Sequence, residues 1–143
     1  MRYINDIILH YTATSPGMDV DVSMVRAWHK QRGWRTIGYH YLVKLDGTVE
    51  NGRPISQPGA HCKMHNAHSI GVAFVGGLDE QGNSADTRTE AQKASLLRLL
   101  ATLIRMYRCR VHSHRDYTAT LCPGFDATAE YAGLYRQIVL ENC

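Results

Sequence analysis

The sequence predicts an α/β fold in which α-helices flank a central mixed β-sheet. Short apolar runs of strand length alternate along the chain with longer segments that have the apolar periodicity of helices. The dipeptide Asp46-Gly47 between two strand runs is typical of a β-hairpin, which makes one strand pair of the sheet antiparallel. With 143 residues, of which 44% are hydrophobic and 20% charged, the chain has the size and composition of one globular domain, residues 1–143.

The first half of the chain predicts three strands and one helix. Residues 4–11 form a short run rich in isoleucine and followed by a loop, which is typical of a buried strand. Asp21 is a candidate N-cap for a helix that Gly33 would close in the C′ position. Alternating apolar residues over 38–44 indicate a second strand, and the Asp-Gly turn leads from it into a third strand at 48–50.

In the second half, an irregular segment comes before two further strands. Residues 52–66 contain two prolines and show no periodicity, as in loops that carry function. An apolar strand follows over residues 69–75, and a shorter one is predicted around Val111. The chain is expected to close with a helix that begins at Phe125-Asp126 and ends near Leu140.

The clearest helix of the sequence follows Thr89, which with Gln92 forms a capping box. Its apolar residues recur at helical spacing, so one face is expected to be buried and the opposite one exposed. The predicted buried face comprises Leu96, Leu100, Leu103 and Tyr107, and the predicted exposed face comprises Ser95, Arg98, Thr102 and Arg105.

The net charge of +3 comes from basic residues that are scattered along the chain. A nucleic-acid-binding arm would gather such residues into a run, so we expect no nucleic-acid partner. No apolar stretch is long enough to span a membrane, and the short apolar run near the N-terminus contains Asp6, unlike a secretory signal. We therefore expect a protein that is cytoplasmic when made and does not insert into a membrane. We also expect it to be a monomer.

Two histidines and one cysteine have positions that suit a shared metal site. His10 ends the apolar run I-I-L-H, and His114 and Cys122 lie eight positions apart in H-R-D-Y-T-A-T-L-C-P-G. Taken singly, each residue type is more often packed or hydrogen-bonded than a ligand. Residues at strand ends and in the loops after them can nevertheless converge at one edge of a sheet. Two imidazoles and one thiolate leave the fourth position of a tetrahedral Zn²⁺ open for water, so the trio indicates a hydrolase with one catalytic zinc ion.

The three other cysteines follow no disulfide pattern. The chain has four cysteines, and if Cys122 binds metal then Cys62, Cys109 and Cys143 remain. Their spacing matches no disulfide scaffold, and structural disulfides are rare in proteins made in the cytosol. We expect these three to be free thiols.

Five segments of the sequence resemble the type 2 N-acetylmuramoyl-L-alanine amidases. That family includes small phage lysozymes, bacterial amidases and animal peptidoglycan recognition proteins, and its phage endolysin branch is the most similar. The similarity runs in order from about Ile4 to Asp126. The segments are I-I-L-H-Y-T-A-T, V-R-A-W-H-K-Q-R-G-W, I-G-Y-H-Y-L-V-K-L-D-G-T-V-E-N-G-R, H-S-I-G-V-A-F-V-G-G and H-R-D-Y-T-A-T-L-C-P-G-F-D.

The resemblance implies a role for five residues. His10, His114 and Cys122 occupy the family's zinc-ligand positions, Tyr39 its catalytic tyrosine position, and Thr120 a position held by lysine or threonine. Phage lysozymes of this branch usually carry lysine there, so the threonine changes how much positive charge the site offers. The implied reaction is hydrolysis of the amide bond between N-acetylmuramic acid and L-alanine in peptidoglycan.

Each implied role makes chemical sense. The amide is unactivated, so the metal has to polarise its carbonyl and lower the pKa of bound water to about 7. Tyr39 would then orient that water or share its proton, and Thr120, two residues before a ligand, would hydrogen-bond the oxyanion. The alternative for Tyr39 is a plain strand tyrosine packed against the sheet.

A second cluster of metal-binding residue types follows in the irregular segment. His61, Cys62, His65 and His68 have the pattern H-C-x-x-H-x-x-H, which resembles a metal-binding tract. The turn-forming residues around them favour a loop rather than a single ligand face. In the family this stretch borders the substrate groove, so His61 and Asn66 are predicted to contact the muramyl peptide, with plain polar surface as the alternative.

Five further polar residues are assigned structural or surface roles. His112 lies on the same strand face as the candidate ligand two residues later, either behind the site or at an exposed strand edge. Alternation places His40 opposite Tyr39, in the core or in the layer behind the site. His29 is expected on a helix surface. Arg35 and Arg53 could pair with peptide carboxylates, although ordinary solvated arginines are the favoured interpretation.

The leading hypothesis is a zinc-dependent amidase of a phage or prophage, an endolysin that acts on the cell wall after release or export. One alternative is a non-catalytic peptidoglycan-binding module, although such modules generally lack the cysteine ligand present here as Cys122. Another is a cytosolic muropeptide-recycling amidase, which typically has aspartate at that position. The resemblance also leaves open a regulatory protein partner such as a viral RNA polymerase.

Overall fold

The computed structural model describes residues 2–141. Its strands and helices, in chain order, are β1 (Asp6–Tyr11), α1 (Val22–Gln31), β2 (Tyr41–Val43), β3 (Val49–Asn51), β4 (Ser69–Phe74), α2 (Glu90–Tyr107), β5 (Arg110–Ser113) and α3 (Ala127–Tyr135). Short 3₁₀ turns lie at Asn66–His68 and His114–Asp116, and a π-helical turn at Arg136–Leu140 follows α3.

Within the described range, the five strands form one sheet in the order β3-β2-β4-β1-β5. Strand β1 pairs in parallel with β4 and β5, β2 pairs in parallel with β4, and β3 runs antiparallel to β2. The antiparallel pair is the predicted hairpin, in which Lys44 N–H donates to the carbonyl of Thr48 and Gly47 has a φ of 89° that glycine adopts without strain. The predicted mixed α/β architecture is confirmed.

Two apolar layers cover the opposite faces of the sheet. Every residue of β4 is buried, because a central parallel strand is covered on both faces. Ile70 and Phe74 of this strand belong to the larger cluster, which includes residues of α2 and α3, whereas Ala73 belongs to the smaller cluster with residues of α1. On β1, Leu9 belongs to the larger cluster. Because side chains alternate along a strand, His10 points to the opposite face, on the α1 side of the sheet.

The predicted helix caps are confirmed. The carboxylate of Asp21 accepts the backbone N–H of Met24 at the start of α1. Thr89 and Gln92 form the reciprocal capping box that begins α2. Such caps satisfy N–H groups that have no partner within the helix. None of the helices among residues 2–141 combines the length and the apolar character needed to cross a membrane.

One residue of α2 lies on the other face from the one predicted. Ser95, expected to be exposed, is only 4% exposed, and its hydroxyl donates to the carbonyl of Gly47 at 2.5 Å. The hairpin turn packs against this part of α2, and the buried hydroxyl is stabilised there because it finds an acceptor. The other residues follow the prediction: Leu96, Leu100 and Leu103 are buried, Tyr107 is half-buried, and Arg98, Thr102 and Arg105 are exposed.

The strand predicted over residues 38–44 is shorter in the structure, where only β2 is regular. Tyr39 and His40 therefore precede the strand. The backbone N–H of His40 still donates to the carbonyl of Gly71 on β4, which keeps this segment beside the sheet. His40 is 1% exposed, as the prediction of a core position requires.

The closing helix α3 continues through a π-helical turn to Leu140, so its length is as predicted although its last turn is not α-helical. Arg88 ties this helix to the segment before α2. Its guanidinium bonds the carboxylates of Asp86 and Glu130 and lies 3.5 Å from the ring centroid of Phe125. Charge-assisted bonds of this kind join parts of the chain that are far apart in sequence.

The cysteines follow the predicted pattern where the structure describes them. Cys62 and Cys109 are buried free thiols. Cys143 lies outside the described residues.

Candidate metal centre and active site

Three candidate ligands converge where β1 and β5 end. His10 lies near the carboxyl end of β1, and His114 begins the 3₁₀ turn directly after β5. The register of these parallel strands pairs Leu9 with Ser113, so the two histidines that follow are neighbours, with ring centroids 4.4 Å apart. Cys122 reaches the same point from the next loop, and the ligand atoms of the three residues all lie within 4.8 Å of one another. The structure thus brings together the three residues that the sequence singles out.

Backbone groups hold the Cys122 sulfur in place. The N–H of Tyr11 donates to Sγ at 3.2 Å, and the N–H of Arg115 donates to the carbonyl of Cys122 at 2.9 Å. Burial raises the pKa of the Cys122 thiol to about 12, and the neighbouring Cys62 acts in the same direction. A buried thiol gives up its proton when a cation binds, because the cation stabilises the thiolate. The sulfur therefore suits a metal better than it suits free nucleophilic chemistry.

The two candidate imidazole ligands are neutral near pH 7. Burial lowers the pKa of His10 well below its usual value, and the nearby His61 and His114 lower it further. Burial also lowers the pKa of His114. Neutral imidazole is the form that binds a metal ion, and two imidazoles with one thiolate are a donor set that fits Zn²⁺.

The candidate ligands open onto a cleft of about 330 Å³, whose walls include Tyr39 and Thr120. A second cleft of about 310 Å³ shares Trp34 and His61 with the first and includes Asn66. Clefts with a few convergent polar groups are the usual form of a ligand site. All the predicted site residues therefore line one of two neighbouring clefts.

Tyr39 lies beside the candidate ligands. Its ring centroid is 5.2 Å from that of His10 and 5.2 Å from that of His29. Burial raises the pKa of the Tyr39 hydroxyl, and the nearby Cys122 raises it further. The tyrosine is therefore protonated near pH 7 and has a hydrogen to donate in the cleft.

Thr120 lies two residues before the sulfur ligand, on the rim of the cleft. Its hydroxyl oxygen accepts the backbone N–H of Cys122 at 3.3 Å. Because the hydroxyl accepts in that bond, its own hydrogen is available as a donor. The side chain is partly exposed to the cleft.

The prediction that His29 lies on a helix surface is wrong. His29 is 4% exposed, its Nδ1 accepts the backbone N–H of Gly38 at 2.8 Å, and its ring packs against Trp34 and Tyr39. The chain folds back over the end of α1 after Gly33, which buries the ring. Helical spacing already indicates this face, because Val22, Val25 and His29 lie at positions i, i+3 and i+7 and are the buried residues of α1. The contact with Gly38 comes from the segment after the helix, which the helical pattern does not contain.

The interpretation of Arg53 as an ordinary solvated arginine is also wrong. It is 8% exposed and donates to the carbonyls of Ile37 and Pro58, at 3.0 and 2.8 Å. Irregular backbone leaves carbonyl groups without partners in regular structure, and a buried arginine supplies donors for them. Arg35, in contrast, is exposed as expected.

His61 and Asn66 form the inner part of the loop between β3 and β4. The Nδ1 of His61 is 2.8 Å from Nε2 of His10, and the Nε2 of His61 is 3.2 Å from the hydroxyl of Ser69. The Asn66 side-chain oxygen accepts the backbone N–H groups of His61 and Cys62, each at 3.0 Å. Both residues are thus hydrogen-bonded within the protein, and their contact with substrate stays a prediction.

The other histidines of the second cluster are dispersed. His65 stacks on Tyr117 with ring centroids 4.0 Å apart, and the Nδ1 of His68 lies 2.8 Å from the carbonyl oxygen of Tyr3. Among residues 2–141, His10, His114 and Cys122 are the group found to have metal-binding geometry.

His112 pairs with a carboxylate away from the candidate ligands. Its Nδ1 is 2.7 Å from a carboxylate oxygen of Asp6, which also accepts the hydroxyl of Tyr117. The hydrogen bond to Asp6 raises the pKa of His112. His112 is thus a partly buried residue of the edge strand β5, paired with Asp6.

The fold and the side-chain cluster define an α/β protein with a candidate catalytic metal centre at the strand ends. The N-acetylmuramoyl-L-alanine amidase family matches residues 1–125, so the chain belongs to that family. The family predicted from the sequence motifs is confirmed.

Similar proteins come from phages, bacteria and insects. The endolysin of Enterobacteria phage T3 is 45% identical over 121 residues, which cover 84% of this chain and 80% of that protein. Peptidoglycan-recognition protein SC2 of Drosophila melanogaster is 30% identical over 133 residues, covering 86% of this chain and 70% of that protein. Among solved structures, the N-acetylmuramoyl-L-alanine amidase LysC from Clostridium intestinale URNW superposes with a TM-score of 0.80 and 32% identity, over 93% of this chain and 86% of that chain.

Proposed function

We propose that this protein is a zinc-dependent N-acetylmuramoyl-L-alanine amidase of the endolysin type. The observation that carries the proposal is the cluster of His10, His114 and Cys122, whose ligand atoms lie within 4.8 Å of one another in the cleft of a member of the amidase family. The reaction is hydrolysis of the amide bond between N-acetylmuramic acid and L-alanine. Residues 1–143 act as a single catalytic domain.

The three clustered residues hold one zinc ion. Bound zinc would supply polarisation of the amide carbonyl and a water of lowered pKa, because three protein ligands leave one position for solvent. The donor groups suit metal binding before the ion arrives: two imidazoles are neutral, and the sulfur of the buried thiol already accepts the N–H of Tyr11.

Tyr39 and Thr120 act on the reacting groups rather than on the metal. The protonated Tyr39 hydroxyl orients the attacking water and shares the proton that passes from this water to the leaving alanine nitrogen. The position of Tyr39 against the His10 ring supports this role. Thr120 donates its hydroxyl hydrogen to the oxyanion that forms on the former carbonyl oxygen. A neutral threonine gives directional hydrogen bonding without the charge of a lysine.

The substrate is peptidoglycan, and the site of action is the cell wall. The phage relatives at 45% and 44% identity are endolysins, which supports this choice. The neighbouring cleft, with His61 and Asn66, extends the site to receive the muramyl peptide. Because the nitrogens of His61 are already engaged, its contact with substrate is through the ring carbons.

Metal analysis combined with mass spectrometry of digested sacculi tests the proposal. We expect one zinc ion per chain and release of stem peptides with a free alanine amine. Excess chelator should abolish the release, and added Zn²⁺ should restore it. Unchanged turnover after demonstrated removal of the metal would reject zinc catalysis, and binding to sacculi without any release would favour a non-catalytic binding module.

A further inference from the structure

The ring of His61 lies in a slot that two glycines leave open. A Cβ atom on Gly71 of β4 would lie 2.6 Å from ring atoms of His61, and a Cβ on Gly59 would lie 2.5 Å from its Cδ2. A Cβ atom does not come this close to a non-bonded atom in real proteins, so any larger residue at either position would displace the ring. The backbone on both sides therefore fixes where His61 lies.

Both nitrogens of this ring have partners. The Nδ1 of His61 faces Nε2 of His10 at 2.8 Å, and its Nε2 faces the hydroxyl of Ser69 at 3.2 Å. His61 is 8% exposed and Ser69 is 1% exposed, so water competes little for these bonds. The three side chains form a buried row that ends at a candidate metal ligand.

This row restricts how His10 can bind a metal. Its Nε2 is occupied by the contact with His61, so Nδ1 is the nitrogen with a lone pair to offer. A metal-bound histidine usually donates its other ring N–H to a fixed acceptor, which sets the tautomer and the orientation of the ring. In most such sites the acceptor is a carboxylate or a carbonyl, and here the neutral ring nitrogen of a second histidine takes that place.

We propose that His61 is a positioning residue, which accepts the Nε2–H of His10 and thereby holds Nδ1 of His10 ready for the metal. The inference rests on the proposed zinc function. With a metal on Nδ1, the remaining hydrogen of His10 is on Nε2, so Nδ1 of His61 must accept. The hydrogen of His61 is then on Nε2 and is donated to Ser69. Each ring nitrogen of His10 and His61 and the hydroxyl oxygen of Ser69 therefore either binds the metal, donates a hydrogen bond or accepts one.

Zinc affinity of purified variants tests this assignment, measured by competition with a chromophoric chelator. His61→Leu removes the acceptor and should weaken zinc binding roughly 10–100-fold, the usual cost of losing such a partner. His61→Asn keeps an acceptor oxygen close to the Nδ1 position and should recover most of the affinity. His40→Gln is the matched control, because His40 is also a buried histidine and bonds Gly71 and Gln57 but not His10. It should bind zinc within about twofold of the unaltered protein.

A second measurement uses the unaltered protein and does not depend on any variant folding. Long-range ¹H–¹⁵N NMR of the zinc-loaded protein should show Nδ1 of His10 bound to metal and a slowly exchanging proton on Nε2. A metal-bound Nε2 in His10, or zinc affinity of His61→Leu within twofold of the unaltered value, would overturn the assignment. Direct zinc coordination by His61 in X-ray absorption spectra would overturn it as well. If the unaltered protein binds zinc and cleaves sacculi while any of these three results is found, only the role of His61 fails. A protein that binds no zinc rejects the proposed function as well.

Discussion

The backbone N–H of Tyr11 donates to the sulfur of Cys122 at 3.2 Å, although 111 residues separate them. The contact follows directly after His10 on β1, so one strand supplies a candidate ligand and the group that holds another. A sulfur fixed in this way loses little freedom when it binds an ion, because its position is set before the ion arrives. The geometry of the candidate centre is therefore a property of the fold.

Replacement of Cys122 by serine should remove the metal and leave the fold intact. The serine hydroxyl can still accept the N–H of Tyr11, but it is a poor zinc ligand. We expect zinc affinity to fall by more than the roughly 10–100-fold cost of losing an outer partner, with an unchanged circular dichroism spectrum. Cys109→Ser is the control, since it also alters a buried free thiol but lies outside the cluster. Zinc retained by Cys122→Ser would contradict the ligand assignment.

Tyr39→Phe should keep zinc and lose turnover. The ring stays packed between His10 and His29, but the hydroxyl that moves the proton is gone. General acid–base groups contribute about 10²–10⁴-fold, so we expect kcat to fall by that order. Tyr41→Phe, a tyrosine of the adjacent strand β2, serves as the control. A normal kcat in Tyr39→Phe would make this tyrosine a packing residue.

Thr120→Val replaces the hydroxyl by a methyl group of similar shape. If Thr120 stabilises the oxyanion, kcat should fall roughly 10²–10³-fold, as for loss of other oxyanion donors, while zinc content stays the same. Thr118→Val in the same loop is the comparison, because Thr118 does not line the cleft. Equal kinetics of the two variants would remove Thr120 from the mechanism.

Buried histidines should make the metal-free protein sensitive to mild acid. Burial lowers the pKa of His29 from 6.5 to about 4, and that of His40 likewise. Between pH 6.5 and 4 the unfolded chain therefore binds protons that the folded protein does not. The contribution of these two histidines to the free energy of unfolding is complete above pH 6.5. It is lost as the pH falls toward 4, by about 1.4 kcal/mol per pH unit for each such proton.

Urea unfolding in excess chelator, at several values between pH 4.5 and 7, measures this loss. His29→Gln keeps an acceptor for Gly38 N–H but does not titrate, so its unfolding free energy should fall less steeply with acid. Asp6 raises the pKa of His112, so the stabilising contribution of His112 is lost as the pH rises above 6.5. That loss lies outside the acid range in which His29 and His40 titrate. Equal slopes for the variant and the unaltered protein would show that His29 titrates normally.

Arg88→Met should destabilise the attachment of α3. The variant leaves the carboxylates of Asp86 and Glu130 without their guanidinium partner and loses the contact with Phe125. Breaking a fully buried pair costs about 3–5 kcal/mol, and here we expect about 2 kcal/mol because both carboxylates are partly exposed. Lys93→Met removes the surface pair with Glu90 and a weak attraction to Asp86, and should change the unfolding free energy by less than about 1 kcal/mol. Similar effects of the two variants in urea unfolding would contradict the anchoring role of Arg88.

Local signals in the chain predict much of the fold correctly. The capping box at Thr89 and the Asp46-Gly47 turn each depend on residues that are close in sequence, so their geometry follows from the residues themselves. The burial of Ser95 is a feature that local signals predict wrongly. Helical spacing puts it on the polar face, but the hairpin turn that covers it comes from a segment 48 residues earlier. No local pattern contains that contact.

The candidate site also has features that the sequence predicts and features that only the tertiary structure creates. The sequence shows the donor types of His10, His114 and Cys122 and their positions at strand ends or in the loop after a strand. Together with the family resemblance, these features predict the metal centre. The bond from Gly38 to His29, the burial of Arg53, and the row from His10 through His61 to Ser69 arise only in the tertiary structure. A residue's chemistry and helical or strand period are local properties, whereas the partner of a buried polar group depends on which distant backbone packs against it.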